Sequence, residues 1–214
     1  MAAVDNGEVV ARGRGRPRDE FARERILEAA LTELEESGFA NATMEGIADR
    51  AGASKATVYR WWPNKAAVFI EAFREAVAPE IPFPETDCLA NDIRKQLQNF
   101  ARMLNGRGGR LLVAFVAAAQ SDPEVAGALW SLWVGPRRKQ AKEALERHRR
   151  RGDLRADVDA DIALDIMYAP LYYRLMMGGG NLSLSQAYAE KLARLALDAL
   201  GVPGPPASRS DKRT

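Results

Sequence analysis

Apolar residues recur along most of the chain at the three-to-four-residue spacing of helices, and almost no segment alternates as a strand would. Ile26, Ala30 and Leu34 repeat every four residues, with Glu24, Glu28, Glu35 and Glu36 elsewhere around the helix. That pattern predicts a first helix from Asp19, ended by Gly38, with Phe39 folding back after the turn. Thr43 is the expected N-cap of a second helix, Met44–Ala51, with Ile47 and Ala48 inward and Gly52 as its stop. Ser54 caps a third helix, from Lys55 to about Trp61, and Asn64 a fourth, from Lys65 to about Ala78. Two short helices joined by a tight Gly-containing turn make a helix-turn-helix.

Pro79, Pro82 and Pro84 mark a boundary, after which the helical pattern resumes. The expected helices are Leu89–Leu104, Arg110–Gln120, Pro123–Arg151, Asp159–Met177 and Ser183–Leu200. Gly106, Gly108 and Gly109 separate the first two, and Pro123 follows the N-cap pair Ser121-Asp122. Pro136 and Pro170 fall inside apparent helices and should kink or break them. The reading is all-α, in four parts: a flexible basic arm (1–18), a helix-turn-helix domain (19–79), a second helical domain (88–201) and a disordered tail (202–214).

With 214 residues, 47% hydrophobic and 28% charged, the chain suits a globular protein with one or two cores. Its longest apolar stretch, Leu111–Ala119, is too short to span a bilayer. The first ten residues carry Asp5 and Glu8 and look unlike a signal peptide, so a cytoplasmic location with no membrane partner is expected. One cysteine, Cys88, excludes an internal disulfide and leaves no cysteine cluster for zinc. The net charge of +2 matters less than its distribution. Arg12, Arg14, Arg16 and Arg18 alternate with Gly13, Gly15 and Pro17, a run that cannot fold alone.

Ser54, Lys55, Thr57 and Tyr59 can present donors and acceptors from the first turns of the third helix, while Val58 faces inward with Trp61 or Trp62 behind it. A helix N-terminus suits phosphate, and recognition helices insert their N-terminal residues into the major groove. The stretch from Arg23 to Phe73 resembles the N-terminal domain of the TetR (tetracycline repressor) family of transcription regulators. The residues that carry the resemblance are Ile26 to Ala30, Gly38-Phe39, Thr43 to Ala48, Ala51 to Lys55, Thr57 to Tyr59, and Asn64-Lys65 after an aromatic pair. The later helices resemble the family in their all-helical layout. One departure is Arg60-Trp61-Trp62 after Tyr59, where members often have histidine.

The resemblance implies an N-terminal DNA-binding domain, and a C-terminal ligand-binding and dimerisation domain. It implies that Thr43 touches a phosphate while capping, that Ser54, Lys55 and Thr57 face the groove, that Tyr59 contacts phosphate or a thymine methyl, and that Lys65 holds a phosphate. Arg60 either adds a phosphate contact or is a solvated charge. Arg14 and Arg16 of the arm would reach the minor groove. The expected partners are a palindromic DNA operator, a second copy of the chain and a small hydrophobic effector, with no cofactor.

The second domain is rich in large soft side chains, which suit either a pocket or an ordinary core. Phe115, Trp130, Trp133, Met167 and Tyr172 are the candidates for pocket lining. Leu164, Tyr168 and Leu171, and Leu192, Leu195 and Ala199, form stripes that either pair with a twin or pack within the chain. The basic run Arg137–Arg151 reads as a solvated face, with a second DNA contact as the alternative. The aspartates from Asp153 to Asp165 lack the spacing and glycine of a calcium loop, so capping explains Asp157–Asp161 better. The single histidine, His148, has no evident nucleophile beside it, and no Walker loop, dinucleotide fingerprint or Gly-x-Ser-x-Gly elbow is present. Catalysis is therefore not expected. The rival to a ligand-responsive regulator is a DNA-binding protein whose second core is simply filled.

Overall fold

A computed structural model describes residues 16–202, with side chains from residue 20 onward. Arg14 and residues 203–214 of the expected 202–214 tail lie outside the described residues, as does the side chain of Arg16, while Val202 is buried. Among the described residues there are ten α-helices and no strand. The first four are α1 (Arg16–Asn41), α2 (Met44–Ala51), α3 (Lys55–Trp61) and α4 (Lys65–Val77). The second domain holds α5 (Leu89–Asn105), α6 (Arg107–Ala119), α7 (Pro123–Leu129), α8 (Gly135–Arg151), α9 (Ala160–Met177) and α10 (Gln186–Ala199).

The expected caps are present. The Thr43 hydroxyl accepts from the Gly46 N–H at 3.0 Å, Ser54 from Thr57 at 3.1 Å and Asn64 from Ala67 at 2.9 Å. Gly52, at φ 59°, adopts the left-handed conformation that closes α2. Helix α1 starts three residues before the expected Asp19. Gly38, at φ 71°, interrupts it, and a last turn carries Phe39 back to the seam between domains. Of the two tryptophans, Trp62 is buried, donating from Nε1 to Glu71 at 2.7 Å, and Trp61 is half-buried against it.

The expected proline boundary is not a free linker. A 3-10 turn, Ala78–Glu80, follows α4, and Ile81 and Phe83 just beyond it are buried. Helix α4 packs on α1 and also on α6, α7 and the turn after α7. Phe73 of α4 therefore meets Phe115 of α6 at 5.5 Å and Trp133 at 4.7 Å, both edge to face. One apolar seam joins the domains. It is also why Phe115, expected to line a pocket, is fully buried between Phe39 and Phe73 instead.

Three breaks are handled differently from expectation. Gly108 and Gly109 do not separate helices but lie inside α6. A Cβ on Gly109 would overlap the Leu104 carbonyl, and one on Gly108 would overlap Met103, so glycine lets α6 press against the end of α5. Pro136 does not break the path from Pro123 to Arg151. The residues before it, Trp130–Val134, widen into a π turn in which the Gly135 N–H donates to the Trp130 carbonyl. Such a turn re-routes the bonds that a proline cannot make. Pro170 likewise leaves α9 unbroken.

The stripes on α9 and α10 divide. Leu164 and Leu171 are fully buried within the chain and Leu192 nearly so. Leu195 and Ala199 are exposed. A different face of α9 is left open: Ile162, Ile166, Ala169, Tyr173 and Met177, at the spacing of one helical stripe.

Candidate nucleic-acid interface and internal cavity

The first turn of α3 stands on the surface. Ser54, Lys55, Ala56, Tyr59 and Arg60 are exposed, with Thr57 half-buried and Val58 anchoring the helix at zero exposure. Thr43, at the start of α2, is exposed beside it in the fold. The Ser54 and Thr57 hydroxyls are 2.8 Å apart, so the cap and the threonine of the same turn hold each other's rotamers. Lys55 pairs with Glu45 of α2 at 3.0 Å, and that bond holds the Glu45 carboxyl below its ordinary range. Arg60 lies over the Trp61 ring at 6.0 Å. Glu45 was missed by sequence reading, although it stands in the first turn of a capped helix, where acidic residues favour the helix dipole.

Lys65 departs from expectation. Its ammonium donates to the carbonyls of Phe39 (2.9 Å), Ala40 (3.3 Å) and Ala42 (3.4 Å) and lies 5.0 Å from the Phe39 ring centroid. An ammonium has three donors. All three are used where the chain turns between α1 and α2, so in the free chain Lys65 braces that turn.

In the second domain a cavity of about 70 Å³ lies between α5, α8 and α9. Phe100, Trp133, Val134, Tyr168 and Tyr172 wall it with rings and apolar surface, and Arg137 and Arg138 bring charge. Of the five expected lining residues, Trp133 and Tyr172 are placed there. Phe115 is in the seam, Met167 is fully buried in the core, and Trp130 points outward with 59% exposure. The reason is the π turn: it sets how Trp130 and Trp133 project, a rotation no periodicity in the sequence announces.

Polar order around the cavity centres on Gln96, which has zero exposure. Its amide nitrogen faces the Pro82 carbonyl at 3.1 Å. Its oxygen accepts from the Tyr168 hydroxyl at 3.1 Å and from Arg137 Nη2 at 3.0 Å. Trp133 and Tyr172 both line this cavity. Burial pushes the Tyr168 phenol up to about 12 and raises Tyr172 as well, while burial also lowers the Arg137 guanidinium. Arg137 lies over the Trp133 ring at 5.6 Å. In sequence it belongs to the basic run. The signals that set it apart are its four-residue spacing from Trp133 and a polar Gln96 on the apolar stripe of α5.

Five other members of the basic run are neutralised locally. Arg138 and Lys142 pair with Asp161, and Arg138 also with Asp165. Arg147 meets Glu85, Arg151 meets Asp87, and Arg149 meets Glu146. These pairs reach across to other elements more than along α8, and they satisfy charges a second DNA contact would need. Asp159 caps α9 through the N–H groups of Asp161 and Ile162. His148 is 2% exposed, with Nε2 3.1 Å from Asp92 and Nδ1 3.0 Å from Asp153. Asp92 in turn accepts from the Thr86 hydroxyl at 2.6 Å, tying the inter-domain segment to α5 and α8. The Thr86 hydroxyl bonds Asp92 and not the His148 ring, so no Ser, Thr or Cys side chain bonds His148 among the described residues. Among the described residues no group of three or more acidic, histidine or cysteine side chains could hold a metal, and no helix is long and apolar enough to cross a membrane.

Comparison with known proteins places both halves of the chain. Residues 26–72 match the family model for bacterial regulatory proteins of the tetR family, and residues 83–196 match that for the tetracyclin repressor-like C-terminal domain. The chain is 39% identical over 170 residues to the HTH-type transcriptional regulator YdeS of Bacillus subtilis, covering 79% of this chain and 86% of that one. It is 28% identical over 181 residues to the DNA-binding transcriptional repressor TetR of Mycobacteroides abscessus, covering 84% and 93% of the two. Among solved structures, the TetR family transcription regulator SCO0332 superposes with a TM-score of 0.72 at 31% identity, covering 86% of this chain and 99% of that one.

Proposed function

The chain belongs to the TetR family of bacterial regulators, and on that premise we propose that it binds a two-fold symmetric operator as a homodimer and leaves it when a small molecule occupies the second domain. It is a DNA-binding transcription regulator and not an enzyme. The observation that carries the DNA half is the first turn of α3: capped, exposed and braced by α2. In the proposed complex Ser54, Lys55 and Thr57 enter the major groove, Tyr59 reaches a phosphate or a thymine methyl, and Thr43 and Arg60 contact the backbone. Arg14 of the arm, and Arg16 at the start of α1, add minor-groove affinity with little sequence readout.

The dimer reading rests on the open stripe of α9, with Ile162, Tyr173 and Met177 each more than 60% exposed. Apolar side chains aligned on one helix face want a cover, and a second copy supplies one by a two-fold axis. Two α3 helices would then meet half-sites roughly 34–36 Å apart.

Release requires the second domain to bias α4, which carries the helix-turn-helix. The means are at hand, because α4 packs on α7 and the π turn, and the π turn carries Trp133. A tenfold loss of operator affinity needs only about 1.4 kcal/mol of coupling. The cavity as it stands is far below the roughly 300 Å³ of ordinary ligand sites. Trp133 and Arg137, however, also line an outer groove of about 580 Å³ that reaches Arg74, Ala78 and Pro82 at the end of α4. Swinging these two side chains would join the spaces and press on α4.

The test is selection of bound sequences from a random DNA pool, then a gel shift on the winner. An enriched inverted repeat bound by two chains is the expected result. Enrichment of single half-sites bound by one chain would overturn the dimer reading, and no enrichment would overturn operator recognition by the free protein.

A further inference from the structure

The cavity contains a cation with no anion. Arg137 projects from α8 into an apolar enclosure, and no carboxylate among the described residues pairs with it. The charged residues nearest it on α8 do not help: Arg138 is committed to Asp161 and Asp165, and Glu143 is placed in the outer groove with Lys139. Across the groove, α4 offers Arg74, another cation, itself paired with Glu75 at 2.9 Å. What Arg137 does have is neutral: the Gln96 oxygen at 3.0 Å and the Trp133 face at 5.6 Å. A guanidinium carries five N–H donors in a planar fork. One hydrogen bond to an amide leaves most of that fork unused, in a place where burial already disfavours the charge. A guanidinium fork matches a carboxylate two bonds at a time.

We propose that the effector is a small organic acid whose carboxylate docks on the Arg137 guanidinium and whose flat apolar body lies against Trp133, Phe100 and Tyr172; this rests on the second domain acting as the effector domain. The Tyr172 hydroxyl, which faces the same space, is neutral at physiological pH and so can donate to a carboxylate oxygen without repelling it, while the Tyr168 proton is already given to Gln96. The position of Arg137 gives the anchor a consequence. It walls both the inner cavity and the outer groove, and its neighbour at i−4, Trp133, touches Phe73 of α4. An acid that draws Arg137 from Gln96 loosens the tie between α8, α5 and the Pro82 carbonyl and shifts the ring packed on α4.

The experiment compares a carboxylate with its neutral isostere on the full-length protein. Phenylacetate and phenylacetamide, differing in charge at one end of the same ring, are titrated by calorimetry to about 20 mM, a range that covers ligands of this size. The expected result is binding of the carboxylate about tenfold or more tighter than the amide, with quenching of tryptophan fluorescence. Arg137→Met should abolish that preference and Arg137→Lys should keep part of it, with unfolding curves confirming that each variant is folded. The amide binding as well as the acid, neither binding, or an undiminished preference in Arg137→Met would each overturn the proposal. The wild-type comparison stands even if a variant fails to fold. Operator binding, measured separately, distinguishes the two readings: a protein that binds operator but shows no acid preference loses the anchor alone, and one that prefers the acid but selects no operator loses the regulatory reading.

Discussion

In the helix-turn-helix, the capping side chains are used within three residues of where they stand. Thr43, Ser54 and Asn64 each accept from the N–H three residues on. In the second domain, polar groups are carried inside and satisfied over long sequence distances: Gln96 to Pro82, Tyr168 and Arg137, and His148 to Asp92. The first arrangement makes a stiff surface, which base readout in a groove requires. The second leaves an interior with a cavity, a π turn and an unmatched cation. Such an interior has more than one way to satisfy itself, which is what a switch needs. The contrast teaches where each kind of change should act.

The largest effect should come where the two regions meet. Phe73→Ala removes a fully buried ring in contact with both Phe115 and Trp133, and it should cost about 3–5 kcal/mol in denaturant unfolding. If the seam is what couples the domains, any acid-dependent change in operator binding should also weaken in whatever fraction remains folded. A normal response would mean that coupling runs elsewhere.

The next effect belongs to the second domain alone. Burial raises the Tyr168 phenol from 10.0 to about 12, so the folded chain keeps a proton that the unfolded chain loses. The neutral phenol's contribution is complete below pH 10 and is lost as pH rises towards 12. Stability should fall by roughly 2 kcal/mol across that window. Tyr168→Phe should remove that slope, and an unchanged slope would show that Tyr168 is not its source.

Smaller effects are expected in the helix-turn-helix. Ser54→Ala should cost about 1 kcal/mol of stability through the lost cap, and operator affinity should drop as Thr57 loses its partner. Lys55→Ala should leave stability nearly unchanged, because its pair with Glu45 is exposed. If Lys55 meets a phosphate, the log–log salt slope of operator binding should fall by roughly one. An unchanged slope with lost base discrimination would place it on a base edge.

What could be read from the sequence was local. The start and stop of α2 and α3 agree with their capping residues because a cap is a bond between residues three apart, and Gly52 marks the turn because its φ is positive. The resemblance of Arg23–Phe73 to the family rests on that same local order and is met by the family match over residues 26–72. The aromatic candidates fared less well. Trp133 and Tyr172 reach the cavity, but Phe115 and Met167 are packing and Trp130 faces outward. Composition marks soft, adaptable residues, and the same residues fill cores. Arg137 was hidden inside a basic run in which Arg138, Arg147 and Arg151 are paired outward.

The sequence by itself determined the all-helical class, the capped recognition unit and the presence of two domains, since each follows from periodicity, capping chemistry and helix breakers close along the chain. Tertiary structure alone decided the rest. It set which face of α9 is open, because which stripe is buried depends on what packs against it. It drew Lys65 inward, because three carbonyls converge only when α1 turns into α2. It left Arg137 alone in an apolar cavity, because a charge is paired or unpaired only relative to groups that distant segments bring near.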